Sequence, residues 1–314
     1  MTEPDLEVAD HPVVVGADGS EHSLAAADRA ASEAALRRLP LEIVHGLLLS
    51  EASLPTAMPP DLPPMAPPPE LDPARLRERA ERLLHDTAAR VRAGHPDLPV
   101  ITRLRDGHPA GVLVDASRQA TLVVVGHRGT GGFAGLLAGS VGLQVANHAA
   151  CPVLVVRGEV GTDPDRHTGP VVVGVDGSDG SRRAAEFALA TAERYRATVL
   201  ALYAWPPDTA WPPAVVAAGH PPPEIPDVVS ETLAGLTGRY PQVPVQPEVR
   251  QHIPAHEALL EVSKSARLVV VGSRGRGGFR GLLLGSVSQA MIQHAHCPVA
   301  VVGPDAAPAG GGEG

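Results

Sequence analysis

The 314 residues carry 26 Lys and Arg against 35 Asp and Glu, a formal charge of −9, and neither half has a run of like charge. That balance argues against a nucleic-acid-binding surface, and no apolar run approaches the ~20 residues that a membrane span needs. The length suits two domains of about 150 residues better than one, and with 44% hydrophobic residues each half can bury a core.

The opening MTEPDLEVAD is acidic and polar, without a basic segment followed by an apolar stretch, so it predicts a loose leader and a cytoplasmic protein. His11-Pro12 then introduces VVVGADGS, a short β-branched strand from Val13 to Gly16 ending in a turn that holds Asp18. An alanine-rich helix follows from Ser20 to Arg38, and a second strand from Leu41 to Leu49. The proline-rich stretch Pro55 to Glu70 cannot hold regular hydrogen-bonded structure. After it, Asp72 to Arg92 is a charged amphipathic helix with Leu76, Leu83, Leu84, Ala88 and Val91 on its apolar face. A third strand, Val100 to Arg105, leads through Pro109-Ala110 into a third helix.

The next stretch organises the chain, because it is written twice. Leu122 to Val125 is a short apolar run that reads as a strand buried on both faces, and it delivers the chain into a glycine-rich loop with the skeleton G-x2-G-x9-G-S. The skeleton is Gly126, Gly129, Gly139 and Ser140 in the first copy and Gly272, Gly275, Gly285 and Ser286 in the second. A helix from Ser140 to His148 follows, and Cys-Pro leads into a last strand, Val153 to Val156 or Val299 to Val302. The second half repeats the order: VVVGVDGS with Asp176 in its turn, a helix from Ser181 to Arg196, a strand from Thr198 to Trp205, a proline-rich stretch to Pro226, a weak helix from Asp227 to Gly238 and a strand from Val245 to Arg250.

Glycines at a strand end let the backbone approach a ligand closely. A helix start offers unpaired N–H groups and the positive end of its dipole, to which Ser140 would add a capping hydroxyl. Phosphate is the guest that such a site suits. The bland reading, a turn that merely closes a strand-to-helix connection, has to explain a loop far longer than the usual roughly 2 to 6 residues at identical spacing in both copies. There is no Gly-Lys-Ser/Thr and no G-x-G-x-x-G, so this is neither the lysine-bearing phosphate loop nor the dinucleotide fingerprint. Asp18 and Asp176 stand at the carboxyl ends of the first strands, where ligands bind in open α/β sheets; short acidic residues also simply stabilise turns. Arg128 and Arg274 sit in the loops, and Arg276 and Arg280 add to the second. Solvated surface arginine is the default reading; if they neutralise phosphate instead, three arginines against one would make the second half the tighter binder. Cys151 and Cys297 read as buried thiols, and a zinc site from His148, His294, His296 and Cys297 is disfavoured because only one copy has His-x-His.

Strand, G-x2-G-x9-G-S, helix, Cys-Pro and last strand, found twice, resembles the ATP-binding branch of the universal stress protein family from about Pro12 to Val302. The resemblance implies two tandem Rossmann-like α/β domains, each an open five-stranded parallel sheet of order 3-2-1-4-5 with helices on both faces. Their expected bounds are 1–158 and 170–304, with a linker at 159–169 and a disordered tail at 305–314. It implies an adenine nucleotide, ATP, in each half, held by Gly126, Arg128, Gly129, Gly139, Ser140 and Val141 or by Gly272, Arg274, Gly275, Gly285, Ser286 and Val287. Backbone at Gly16 and Gly174 lines the pocket, Gly46 and Ala204 contact adenine, and Asp18 and Asp176 help hold Mg²⁺ on the phosphates. It also implies that the halves pair within the chain through Val153 to Val156 and Val299 to Val302; whether two chains form a homodimer stays open.

Three functions fit this reading. A nucleotide-binding stress regulator leads. An ATP-cleaving transferase or phosphatase lacks the S-G-G-x-D-S or H-I-G-H loop of adenylating relatives and any second carboxylate placed as a base beside Asp18, so at most weak ATPase activity is expected. An interaction module with vestigial sites would have no use for every glycine and serine kept in both copies.

Overall fold

The computed structural model describes residues 11–48, 72–129, 139–157, 168–204, 225–275 and 284–306. Residues 55–70 and 205–224 of the proline-rich stretches, 159–167 of the linker, 307–314 of the tail, and Arg276 and Arg280 lie outside them, whereas Ala306, placed by the sequence reading in the tail, is buried against the core.

The first half runs β1 (Val13–Gly16), α1 (Glu21–Arg37), β2 (Leu41–Leu47), α2 (Pro73–Gly94), β3 (Val100–Asp106), α3 (Pro109–Ala116), β4 (Leu122–Gly126), α4 (Ser140–His148) and β5 (Val153–Val156). The second runs β6 (Val171–Gly174), α5 (Asp179–Tyr195), β7 (Val199–Ala204), α6 (Ile225–Leu233), β8 (Val245–Arg250), α7 (Ala255–Val262), β9 (Leu268–Gly272), α8 (Ser286–His294) and β10 (Val299–Val302). Several boundaries differ from the sequence reading by a residue or more, and two of them have a clear local cause. Strand β2 stops at Leu47, whose carbonyl accepts from Gly107 N, and Leu48 is 57% exposed. Helix α6 begins at Ile225 with Pro226 in its first turn, where a missing N–H costs nothing, and ends before Gly235 at φ 73°.

All ten strands share one sheet, in the order β3-β2-β1-β4-β5-β10-β9-β6-β7-β8. Each half is parallel and has the order 3-2-1-4-5. Strands β5 and β10 meet antiparallel, with Val155 opposite Val299 and Val153 opposite Val301. The carboxyl edges of the two half-sheets therefore face opposite ways.

Pleating sorts the strand residues onto two faces. Val13 and Val15, Leu122 and Val124, and Val171 and Val173 pack with α1, α2, α5 and α6. Val14, Val123, Val125 and Val172 pack with α3, α4, α7 and α8. Both cores continue across the central seam, through Leu154 and Ala300 on one face and Val155 and Val299 on the other. Helices α1 and α5 bury stripes of alanine, which lets them lie close on the sheet. The reversal of strand order between β1 and β4, and between β6 and β9, opens a crevice at each half's carboxyl edge.

Candidate functional site

In the first half, β1 ends at Gly16 and the next residue stays tied to the sheet: Ala17 N donates to Val44 O at 2.9 Å and His45 Nδ1 lies 2.6 Å from Ala17 O. The turn comes from Gly19 at φ 81°, a conformation that a side chain resists. Asp18 closes the turn, its Oδ1 accepting from Ser20 N at 2.9 Å and Ser20 Oγ at 2.6 Å. Ser20 then caps α1 by accepting from Ser23 N at 3.1 Å. The other half repeats these bonds with Asp176, Ser178 and Ser181.

Opposite this turn, β4 ends at Gly126 and its glycine loop leaves and returns at fixed points. His127 N donates to Val156 O at 3.0 Å, and Gly139 N donates back to His127 O at 2.8 Å. Ser273 and Gly285 make the equivalent bonds. The two loops touch at Gly129: a Cβ there would lie 2.5 Å from Asp18 Oδ2. Only glycine lets the backbone come this close to the carboxylate. Gly275 meets Asp176 Oδ2 in the same way.

Gly139, rather than Ser140, is the N-cap of α4, in extended conformation and with no side chain bonded to the first-turn N–H groups. This corrects the capping role expected for the Ser140 hydroxyl; Ser140 is the first helical residue and is exposed. The bond from Gly139 N to His127 O holds residue 139 extended, so the helix starts one position later. Helix α8 starts identically, with Gly285 as its cap and Ser286 first in the helix. Both helices so begin with first-turn N–H groups that have no side-chain cap among the described residues.

Gly16, Asp18, Gly46, Gly126, Arg128, Gly129, Gly139, Ser140 and Val141 all line one cleft of about 420 Å³. In the second half, Gly272, Arg274, Gly275 and Gly285 surround Asp176 and the start of α5 in the same arrangement. Gly174 and Ala204 end β6 and β7 there, and Ser286 and Val287 open α8. Sequence reasoning missed Ser23, Pro109 and Leu113, which also line the first cleft. A signal for Ser23 was available: D-G-S-x-x-S occurs at 18–23 and again at 176–181. Among the described residues no three His, Cys, Asp or Glu side chains converge as a metal cage. One carboxylate per cleft suits a Mg²⁺ that arrives on phosphate oxygens and keeps its waters.

The halves differ beneath this site. His22 and His127 meet with ring centroids 4.2 Å apart and planes tilted by 55°, and both Nδ1 atoms are buried without a partner among the described residues; Gly180 and Ser273 replace them in the second half. Burial first, then His22, Arg157 and Arg128, lower the His127 pKa to about 4 from the usual 6.5. The unfolded chain therefore takes this proton first as pH falls, and stability present above pH 6.5 is lost progressively towards pH 4. Replacing His127 with Ser should flatten the fall in Tm between about pH 6.5 and 5, above the range where ordinary carboxylates titrate. An unchanged slope would mean that His127 is protonated in the folded protein. Cys151 and Cys297 are free and buried, and burial pushes both thiols up to about 12, which leaves them inert at neutral pH.

The sequence profile described as the universal stress protein family matches residues 11–157 and again 167–303. The chain belongs to the universal stress protein family. It is 36% identical over 297 residues to universal stress protein Rv2623 of Mycobacterium tuberculosis, covering 92% of this chain and 95% of that one. A universal stress protein of Mycolicibacterium smegmatis is 37% identical over 305 residues, covering 94% and 98%. The crystal structure of a universal stress protein from Archaeoglobus fulgidus superposes with a TM-score of 0.66 at 18% identity, over 94% of this chain and 99% of that one. That likeness speaks for the fold. Among the described residues no helix is long and apolar enough to cross a membrane.

Proposed function

We propose that this universal stress protein is a cytoplasmic stress-response regulator that binds one adenine nucleotide, ATP with Mg²⁺, in each half, and that occupancy of the clefts sets which partner it engages. The observation that carries the reading is the first cleft. It brings the turn carboxylate, Gly126, Gly129 and Gly139 of the glycine loop, Arg128 and the start of an α-helix with no side-chain cap among the described residues to one cavity of about 420 Å³. Triphosphate lies on the glycine-loop backbone and the start of α4, where N–H donors and the helix dipole favour negative charge. Arg128 adds a cation, and Asp18 holds the magnesium that travels with the phosphates. Adenine lies against Gly46, whose missing side chain leaves room beside Pro109. The second half works likewise through Asp176, Arg274 and the start of α8. Among the described residues Asp18 is the one carboxylate that lines the first cleft, which favours a nucleotide held as a bound signal over one rapidly consumed as substrate.

Native mass spectrometry of the full chain with Mg-ATP tests this directly. Two added nucleotide masses per chain are expected, and none at millimolar ATP would leave the glycine loops as scaffold. A Gly129→Val variant should lose one of the two. Its Cβ displaces the Asp18 carboxylate and its methyls occupy the phosphate path, at a stability cost of about 1–3 kcal/mol. Two nucleotides retained by this variant would place the phosphates elsewhere.

A further inference from the structure

A second cleft, of about 460 Å³, opens between the halves where the carboxyl ends of α1 and α5 approach one another. Its walls come from both halves: Arg29, Glu33, Leu36 and His95 from the first, Arg194, Tyr195 and Arg267 from the second. Tyr195 is held from two directions, with the Arg29 guanidinium 5.4 Å and the Arg267 guanidinium 5.3 Å from its ring centre. Its hydroxyl donates to Glu33, which is buried and already pairs with Arg29 and Arg37.

The charge here is unbalanced. Glu33 serves two guanidiniums at once, and Arg194 has no carboxylate within ion-pair distance among the described residues; it donates only to Ala190 O, at 3.0 Å. Among the described residues, opposing negative charge beyond Glu33 comes from the exposed Glu193 and from the two helix carboxyl ends, which supply partial charges. Burial, and then Arg37, lower the Arg194 pKa, as expected of a cation short of compensation. Among the described residues Arg29, Arg37 and Arg194 gather around the single buried carboxylate of Glu33, which leaves this part of the cleft net positive, and planar forks of this kind match phosphate oxygens in pairs.

We propose that the cleft between α1 and α5 is a binding site for a small phosphate-class oligoanion, gripped by Arg194 of one half and Arg29 of the other. Such a ligand bridges the halves at a place separate from both glycine-loop clefts, and the inference does not depend on what those clefts bind.

The three tyrosines of the chain, Tyr195, Tyr203 and Tyr240, make the test specific. In the full chain labelled with 3-fluorotyrosine, pyrophosphate titrated at constant ionic strength should shift the Tyr195 ¹⁹F resonance saturably, with a dissociation constant of about 1 mM or tighter. Arg194→Gln should weaken that response about tenfold, and Arg194→Lys, which keeps the charge but loses the fork, should fall between. Circular dichroism confirms that each variant is folded. Tyr203 ends β7 beside the second glycine-loop cleft, so a shift of Tyr203 with Tyr195 unmoved would confine the anion to that cleft and overturn the proposal. An equal response to chloride, or one undiminished in Arg194→Gln, would overturn it too.

Discussion

The double variant Asp18→Ala, Asp176→Ala should bind no adenine nucleotide at concentrations that fill both clefts of the parent, and each single variant should retain one. Two functions leave with each carboxylate. Oδ1 holds the turn through Ser20 N and Oγ, or Ser178 N and Oγ, and Oδ2 faces the glycine loop at Gly129 or Gly275. Losing a charge-assisted contact of this kind costs about 1.5–3 kcal/mol, or roughly 10- to 100-fold in affinity. Asp18→Asn separates the roles, because its amide oxygen can keep the turn while the charge is gone. Loss of the magnesium dependence of binding in that variant would assign Asp18 to the metal; parent-like behaviour would reduce it to a turn former. In isothermal titration Asp18→Ala should show the tighter remaining site, since the second half carries Arg274, Arg276 and Arg280 where the first has Arg128. The opposite order would refute a role for these arginines in affinity.

Glu33→Gln should destabilise the protein by about 3–5 kcal/mol, because it leaves two guanidiniums inside without their counter-charge. Glu33 is 1% exposed, pairs with Arg29 and Arg37, and accepts from Tyr195 across the interface between the halves. Burial alone would raise its pKa, but Arg37 and Arg29 outweigh it and hold the carboxyl below its ordinary 4.5. A carboxyl of lowered pKa contributes stability above the unfolded value that is lost as pH falls through the folded one. The difference between parent and variant should therefore be full at pH 7 and shrink below about pH 4. Urea midpoints at the two pH values measure it; equal midpoints at pH 7 would mean that the pair is solvated.

Much of this architecture is written locally. A run such as Val13 to Gly16, buried on both sides, announces a parallel strand, and the glycine skeleton announces the loop that faces it. The start of α4 at Ser140 was legible but its cap was not, because Ser is the commoner cap, while the bond that makes Gly139 the cap comes from His127, across the loop. Glu33 and Tyr195 were illegible for a different reason. They are 162 residues apart, each sits in an alanine-rich helix that looks complete by itself, and only the meeting of the halves gives them a shared environment. Arg157 is alike: its guanidinium donates to Ile292 O at 2.9 Å at the end of α8, a partnership that no periodicity encodes. The His22 and His127 pair was visible as residues but not as neighbours, since β4 and the first turn of α1 come together only in the folded sheet.

The antiparallel junction of β5 and β10 makes association a property of one polypeptide. A separate half would end in an apolar edge strand and need a mate at sufficient concentration; here the mate is tethered, so dilution does not part the two. Because the tether also fixes which half meets which, the two are released from having to be identical. Each can drift towards its own task, and the chain already shows such drift where a histidine pair under one cleft faces a glycine and a serine under the other.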